Sequence, residues 1–327
     1  MLTGVRVAAL CTMLTGCVLA QPAILGAGNF SHIVEDLDRS VAFYKDVIGL
    51  EATGNARPFD PNPAIMKMGN TPGAQSRLAV LKIPGFSMGL ELIQYKDIER
   101  KPGHPRFQDP GAANLAVRVR DIDSVVARVM KSGAHILTPN DAPASIAGRS
   151  RNLFLQDPDG FVIELAQPVP APAPTADTPG NVIGGAIEVT AADSERTVNF
   201  YRDAIGVQFN LGASFNGDKL MADTAGTPGA QFRQSRAQIP GTSVSMTFIE
   251  FNGIERKPLA TRIQDPGTAL VQLRVRDLDG FLKQVKAARG TVVATDGQAV
   301  QIGTFGRIAI VRDPNNFFLE LIEARQP

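Results

Sequence analysis

Residues 29–34 alternate with period two. Phe30, His32 and Val34 fall on one face of an extended segment, and Asn29, Ser31 and Ile33 on the other. Past Asp36 the period lengthens, and Val41, Tyr44 and Val47 or Ile48 recur at the spacing of one helical face. Asp36 or Asp38 offers an oxygen to the free N–H groups of the first turn, and Gly49 stands where a left-handed C-cap belongs. The same grammar returns at 114–125, where NLAVRVRDIDSV aligns with NFSHIVEDLDRS, Asn114 on Asn29 and Asp121 on Asp36. Further copies begin at Ala186 and Leu270. After each helix the pattern predicts three strands, near 50–57, 77–83 and 88–95 in the first copy and 134–138, 149–156 and 160–166 in the second. Four βαβββ modules, paired into two half-barrel domains, make an α+β fold with mixed sheets, helices outside and an open cup inside.

A longer period overlies the short one. TPGAQ at 71–75 recurs at 227–231, IPG at 83–85 recurs at 239–241, and IERKP at 98–102 recurs at 254–258. QDPG at 108–111 recurs at 264–267, and VRVRDID at 117–123 recurs as LRVRDLD at 273–279. A single long period of this kind marks a duplicated domain rather than a solenoid. The expected organisation is domain 1 over 24–167, a Pro-rich semi-rigid linker over 168–181, and domain 2 over 182–325. Whether modules pair within a half or between halves is open at this level.

Composition narrows the function classes. The 327 residues carry 33 basic and 32 acidic side chains, a formal charge of +1, which gives no footprint for nucleic acid. The first 20 residues read as a signal peptide, with Arg6 followed by an apolar run at 7–14 too short to span a bilayer. Cleavage after Ala20 would leave Gln21 first, whereas Leu14-Thr15-Gly16-Cys17 reads as a lipobox with Cys17 as the lipidated residue. Either way the expectation is an exported protein, periplasmic or lipid-anchored to the cell envelope. Both cysteines, Cys11 and Cys17, lie in this leader, so the mature fold is expected without a disulfide or thiol nucleophile.

DLDRSVAFYKDVIGLE, GLELIQY, NLAVRVRDID and FLQDPDGFVIEL together resemble the vicinal oxygen chelate superfamily, which includes glyoxalase I, bleomycin-resistance proteins and extradiol dioxygenases. The resemblance covers 24–166 and, more weakly, 182–324. It implies glyoxalase-like domains, a small-molecule ligand and a monomer acting as an intramolecular pseudo-dimer. In the family's enzymes a divalent metal sits on four cup-facing positions, usually His at two strand starts and Glu in two later strands. Carried over, these are Asn29, Glu91, Asn114 and Glu164 in the first half, and Ala186, Thr247, Leu270 and Glu320 in the second. The second set reads as degenerate. The first lacks both His, which departs from glyoxalase I and from the dioxygenase iron site.

Two carboxylates and two amide oxygens form a hard-oxygen set suited to Mn²⁺, Mg²⁺ or Ca²⁺ rather than Zn²⁺ or Ni²⁺, and a metal-free site is the competing expectation. Glu91 or Glu164 is the candidate proton-transfer base. Ser31 and Arg118 share the cup face as candidate substrate contacts, and Met66 and Met68 in the long loop 57–76 would give an adaptable apolar wall. His32 shares the face of Phe30 and Val34, so it reads as a satisfied core histidine. Two functions remain in view: a lyase, isomerase or dioxygenase-like enzyme acting on a small oxygen-rich molecule, or a metal-free binder of the bleomycin-resistance type.

Overall fold

The structure, a computed structural model, describes residues 24–324. The leader, with Cys17, lies outside the described residues. Module 1 contains β1 (Ile24–Ile33), α1 (Leu37–Ala42), β2 (Glu51–Ala52), α2 (Pro63–Gly69), β3 (Gln75–Lys82) and β4 (Gly89–Lys96). Module 2 contains β5 (Ala113–Val119), α3 (Ile122–Ser132), β6 (Ala144–Ile146), β7 (Ser150–Gln156) and β8 (Val162–Pro168). In module 3 follow β9 (Val182–Thr190), α4 (Ser194–Phe200), α5 (Lys219–Thr224), β10 (Gln231–Gln238) and β11 (Ser245–Asn252). Module 4 has β12 (Ala269–Val275), α6 (Leu278–Ala287), β13 (Thr291–Val292), β14 (Val300–Ile302), β15 (Gly306–Arg312) and β16 (Phe318–Glu323). The strands expected at 50–57 and 134–138 shrink, the first to two residues and the second to a single bridge between Ile136 and Leu155. Both stretches lie at sheet edges, where few partners reward extension.

Local chemistry explains the helices. The Asp36 carboxylate accepts from the Arg39 amide at 3.0 Å and starts α1. At Phe43–Ile48 the turn widens to a π-helix, and Gly49 closes it with φ 96°, a conformation that disfavours any side chain. Tyr201–Ile205 repeats the π-turn in module 3, closed by Gly206. On α3, Ile122, Val125, Val126 and Val129 are buried at i, i+3, i+4, i+7 spacing. Burial of each such side chain contributes on the order of 2 kcal/mol.

The sheets combine modules across the halves. One runs β13-β15-β16-β12-β1-β4-β3-β2, with β14 beside β15, and so joins modules 1 and 4 through an antiparallel β1–β12 seam. The other runs β10-β11-β9-β5-β8-β7-β6 and joins modules 2 and 3 through the antiparallel β5–β9 seam. The helical faces pair differently. Tyr44 of module 1 donates to Asp157 of module 2 at 3.0 Å, and Tyr201 of module 3 donates to Asp313 of module 4 at 3.3 Å. Each half is thus welded on its helical side, while its two sheets belong to different cups.

Repeated loop motifs also cross between halves. The Lys101 amide in the first IERKP donates to Asp265 of the second QDPG at 2.8 Å, and the Lys257 amide donates to Asp109 at 2.8 Å. Arg106 and Arg262 brace the two aspartates from within their own loops.

Candidate functional site in the cup of modules 2 and 3

Crosswise pairing divides the four residues expected to converge. Asn29 and Glu91 lie in the cup of modules 1 and 4, and Asn114 and Glu164 in the cup of modules 2 and 3. The expected single site in the first half is corrected: metal ligation by Asn29, Glu91, Asn114 and Glu164 together is geometrically excluded by the strand order. Each cup instead draws half its surface from the second half of the chain.

The 1–4 cup is closed over its carboxyl groups, and the cavity of about 500 Å³ lined by Asn29, Gln272 and Arg274 includes neither Glu91 nor Glu320. Gln272 of β12 donates to Glu91 at 2.9 Å and approaches Glu320 at 3.5 Å, while its amide oxygen accepts from the Asn29 backbone at 2.8 Å. Ser31 donates to Glu91 at 2.7 Å, which engages this candidate substrate contact internally. Burial raises the Glu91 carboxyl, and burial next to Glu91 pushes Glu320 up to about 8. Beside this cluster an apolar plug of Ile33, Met68, Tyr95, Leu270, Ile310 and Phe318 fills the cup. Met68 is 8 % exposed within that plug, and neither Met66 nor Met68 lines the open cavity; the expectation that they form a ligand wall is corrected. The cause is α2, which packs on β14 and β15 of module 4.

The 2–3 cup is open, with a cavity of about 540 Å³. Small side chains make the room: Ala116 on β5, Ala166 on β8 and Ala186 on β9 line it. Glu164 of β8 and Glu188 of β9 are the carboxyl groups among the lining residues. Burial, then the proximity of Glu188, pushes the Glu164 carboxyl up to about 8. Burial also raises Glu188, against the Asn114 amide that donates to it at 3.2 Å and the charge of Arg236. Asn152 donates to Glu164, and Ser150 in turn donates to Asn152 at 2.5 Å, which fixes the amide's orientation. Arg118 and Arg236 also line the cavity, and the apolar side carries Phe107, Phe154, Phe232 and Phe251. From module 3, α5 packs against β6 and β7 and contributes Met221 and Ala222 to the lining.

Glu188 and Arg236 were not among the candidates read from the sequence. Alternation puts Glu188 on the face of Ala186, and the repeat sets it opposite Ser31, so parity carried a signal. Only the family's ligand positions were carried over, and Glu188 lies two residues beyond one of them.

His32 is fully buried on the helical side. Its Nε2 lies 2.9 Å from Asp157 and its Nδ1 lies 3.3 Å from the Thr268 carbonyl. His32, Asp157 and Asp159 lie within 4.8 Å of one another, the geometry of a three-ligand metal set. Asp157, however, also accepts from the Tyr44 hydroxyl and from the Asp159 and Phe161 amides. Those protein donors account for its lone pairs, and the cluster works as a weld between β1 and the turn after β7.

Two crosswise α+β half-barrels, one with an open cup lined by two carboxyl groups, make a protein of the paired βαβββ class. The model of the Glyoxalase/Bleomycin resistance protein/Dioxygenase superfamily matches residues 27–165 and 185–321, and the chain belongs to that superfamily. It is 30% identical over 159 residues to a 2-epi-5-epi-valiolone epimerase of Actinomyces sp, covering 47% of this chain and 84% of the epimerase. To a lactoylglutathione lyase of Arabidopsis thaliana it is 25% identical over 183 residues, 55% of each chain. Glyoxalase I of Zea mays superposes with TM-score 0.58 at 17% identity over 92% of both chains. A dioxygenase-like protein of Bacillus subtilis gives 0.56 at 12% identity over 93% of this chain and 87% of its own.

Proposed function

We propose that the protein is an isomerase- or lyase-type enzyme that moves a proton at a carbon beside a carbonyl group, in a small oxygen-rich molecule held in the 2–3 cup. The observation that carries this reading is the pairing of buried Glu164 with half-buried Glu188 in the cavity lining. Such a pair titrates as a unit, and near neutrality it holds one proton between two carboxyl groups. Glu164, raised by burial and by the charge of Glu188, is assigned the proton and the role of acid; Glu188, beside the Asn114 amide and the charge of Arg236, is assigned the role of base. The Ser150–Asn152–Glu164 chain is a positioning relay. The epimerase and the lyase among the relatives support a reaction class rather than a substrate.

The donor set also suits a hard divalent cation. The Asn114 amide oxygen is buried without a partner while its Nδ2 donates to Glu188; with that amide turned over, Glu164, Glu188 and Asn114 would hold Mn²⁺, Mg²⁺ or Ca²⁺. When bound, such an ion would stabilise negative charge on a substrate oxygen.

In the testing assay, cyclic and acyclic hydroxyketones are incubated with the mature protein in D₂O, and NMR follows exchange of the hydrogen beside the carbonyl. Exchange with at least one compound is expected, reduced roughly 100-fold or more in Glu164→Gln and Glu188→Gln. No exchange across the panel, or full exchange in both variants, would refute the reading. Four phenylalanines on the cavity wall favour a second reading, a sequestering binder of amphipathic compounds. A ligand that raises Tm without any exchange would select it. Export is proposed from residues 1–20, and mass spectrometry of the N-terminus distinguishes a lipid on Cys17 from a free start at Gln21.

A further inference from the structure

Arg118 and Arg236 face the carboxyl pair through charge alone, without an ion-pair contact. Both are exposed, both line the open cavity, and among the described residues neither forms a salt bridge. Arg233, three residues before Arg236 on β10, is by contrast committed to Glu250 at 2.8 Å. The repeat separates the two roles. Arg233 aligns with Arg77, which is itself paired with Asp38 at 2.9 Å, so this arginine serves the scaffold in both halves. Arg236 aligns with Val80 of the 1–4 cup, so the second cation is present only in the 2–3 cup.

Charge bookkeeping on the lining gives the sign. Two arginines and two carboxyl groups are its charged side chains, with no other Asp, Glu or Lys. With one proton held between the carboxyl groups, the lined volume keeps a net charge of about +1. Glu164 is buried and Glu188 half-buried, whereas both arginines are exposed, so that charge sits toward the outer part of the cavity. Guanidinium forks pair well with planar or tetrahedral oxyanions.

We propose that Arg118 and Arg236 form an anion subsite of the 2–3 cup, so that its substrate carries a carboxylate or phosphate group beside the oxygenated carbon presented to the carboxyl pair. The location rests on the function proposed above; the charge of the ligand does not. The subsite would hold one end of the molecule while Glu164 and Glu188 face the other.

Isothermal titration calorimetry of the intact protein decides it, with lactate and glycerate as carboxylate probes, glycerol 3-phosphate and inorganic phosphate as phosphate probes, and glycerol as the uncharged control. Binding of one anion class is expected, weakening as salt rises, with glycerol silent. Arg118→Gln and Arg236→Gln should each weaken it about tenfold, which corresponds to about 1.4 kcal/mol. Arg274→Gln, at the equivalent position of the closed cup, should leave it unchanged. Both arginines are exposed and neither forms a salt bridge among the described residues, and the Arg236 side chain donates only to Gln234 at 2.6 Å, so the melting curves of the two variants should stay close to the parent's.

Equal binding of glycerol, absence of binding by every anion, unchanged affinity in Arg236→Gln, or loss in Arg274→Gln would each overturn the proposal. The two readings fail separately. Anion binding that survives in Glu164→Gln while no compound exchanges hydrogen leaves the subsite standing and removes the proton transfer. Exchange on uncharged substrates, unaffected by both arginine variants, does the reverse.

Discussion

Ala116 and Gln272 occupy the same place in the two halves, and the difference between them separates an open cup from a closed one. Ala116 lines the cavity, whereas Gln272 places an amide between Glu91 and Glu320. Replacing Gln272 with Ala should leave two buried carboxyl groups facing each other without a shared donor. A loss of roughly 1–3 kcal/mol in urea unfolding is expected, the usual cost of an unsatisfied buried group. A variant as stable as the parent would contradict this role.

Glu164 gives a pH prediction of opposite character. Its folded-state value, about 8, lies above the ordinary 4.5. A group raised in this way contributes stability fully below its ordinary value, and that contribution is lost as pH rises through the folded value. Stability should therefore fall between about pH 4.5 and about 8, and Glu164→Gln should flatten that fall in Tm-against-pH curves. The same variant removes the proposed acid, so gained stability at pH 8 should accompany lost turnover. Parallel Tm curves for parent and variant would refute the burial argument. For proton transfer, a bell-shaped rate profile is expected, with its alkaline limb near 8, where Glu164 gives up the shared proton.

Among the elements, two short helices with equivalent places in the repeat have different duties. In module 1, α2 sends Met68 into the plug of the 1–4 cup, whereas in module 3 α5 roofs a cavity. Their loop lengths and Pro and Gly content were readable, but the surface each helix would cover depends on which module lies beneath. The crossing loops make a related point. Asp265 accepts from the Lys101 amide of the other half, and its carboxyl is lowered: burial opposes the shift, and hydrogen bonds from Arg262 and Lys101 outweigh it. A lowered acid stabilises above its ordinary value and loses that contribution as pH falls through the folded one. Asp265→Asn should thus cost stability at neutral pH, with the difference from the parent shrinking below about pH 3.8. Calorimetric melting at both pH values checks it, and an equal difference at each would count against the cross-half clasp.

At the level of the whole molecule, each half is held together by its helices and split between two sheets. Residues 24–167 alone possess one wall of each cup, and β1 and β5, still paired to β4 and β8, would each expose one open edge. Such edges are templates for further pairing. Expressed separately, each half should self-associate or precipitate, and co-expressed halves should copurify as a 1:1 complex. Size-exclusion chromatography with light scattering reads the outcome; a stable monomeric half would overturn this picture of the assembly.

The chain's periodicity determined the four modules, their caps and most strands, because those features depend on neighbours within one or two turns. It also put Glu91, Glu164 and Arg118 on cup-facing positions and set His32 on the opposite, core-facing side. Only the tertiary structure decided which modules share a sheet. The strands β1, β5, β9 and β12 carry similar alternation and could each pair with any of the others, so local pattern holds no preference among them. That choice is made by the seams, the helical welds at Asp157 and Asp313 and the crossed loops at Asp109 and Asp265, contacts between residues far apart in the chain. It separates Glu91 from Glu164, gives Glu164 its partner Glu188, and leaves the open cup between modules 2 and 3.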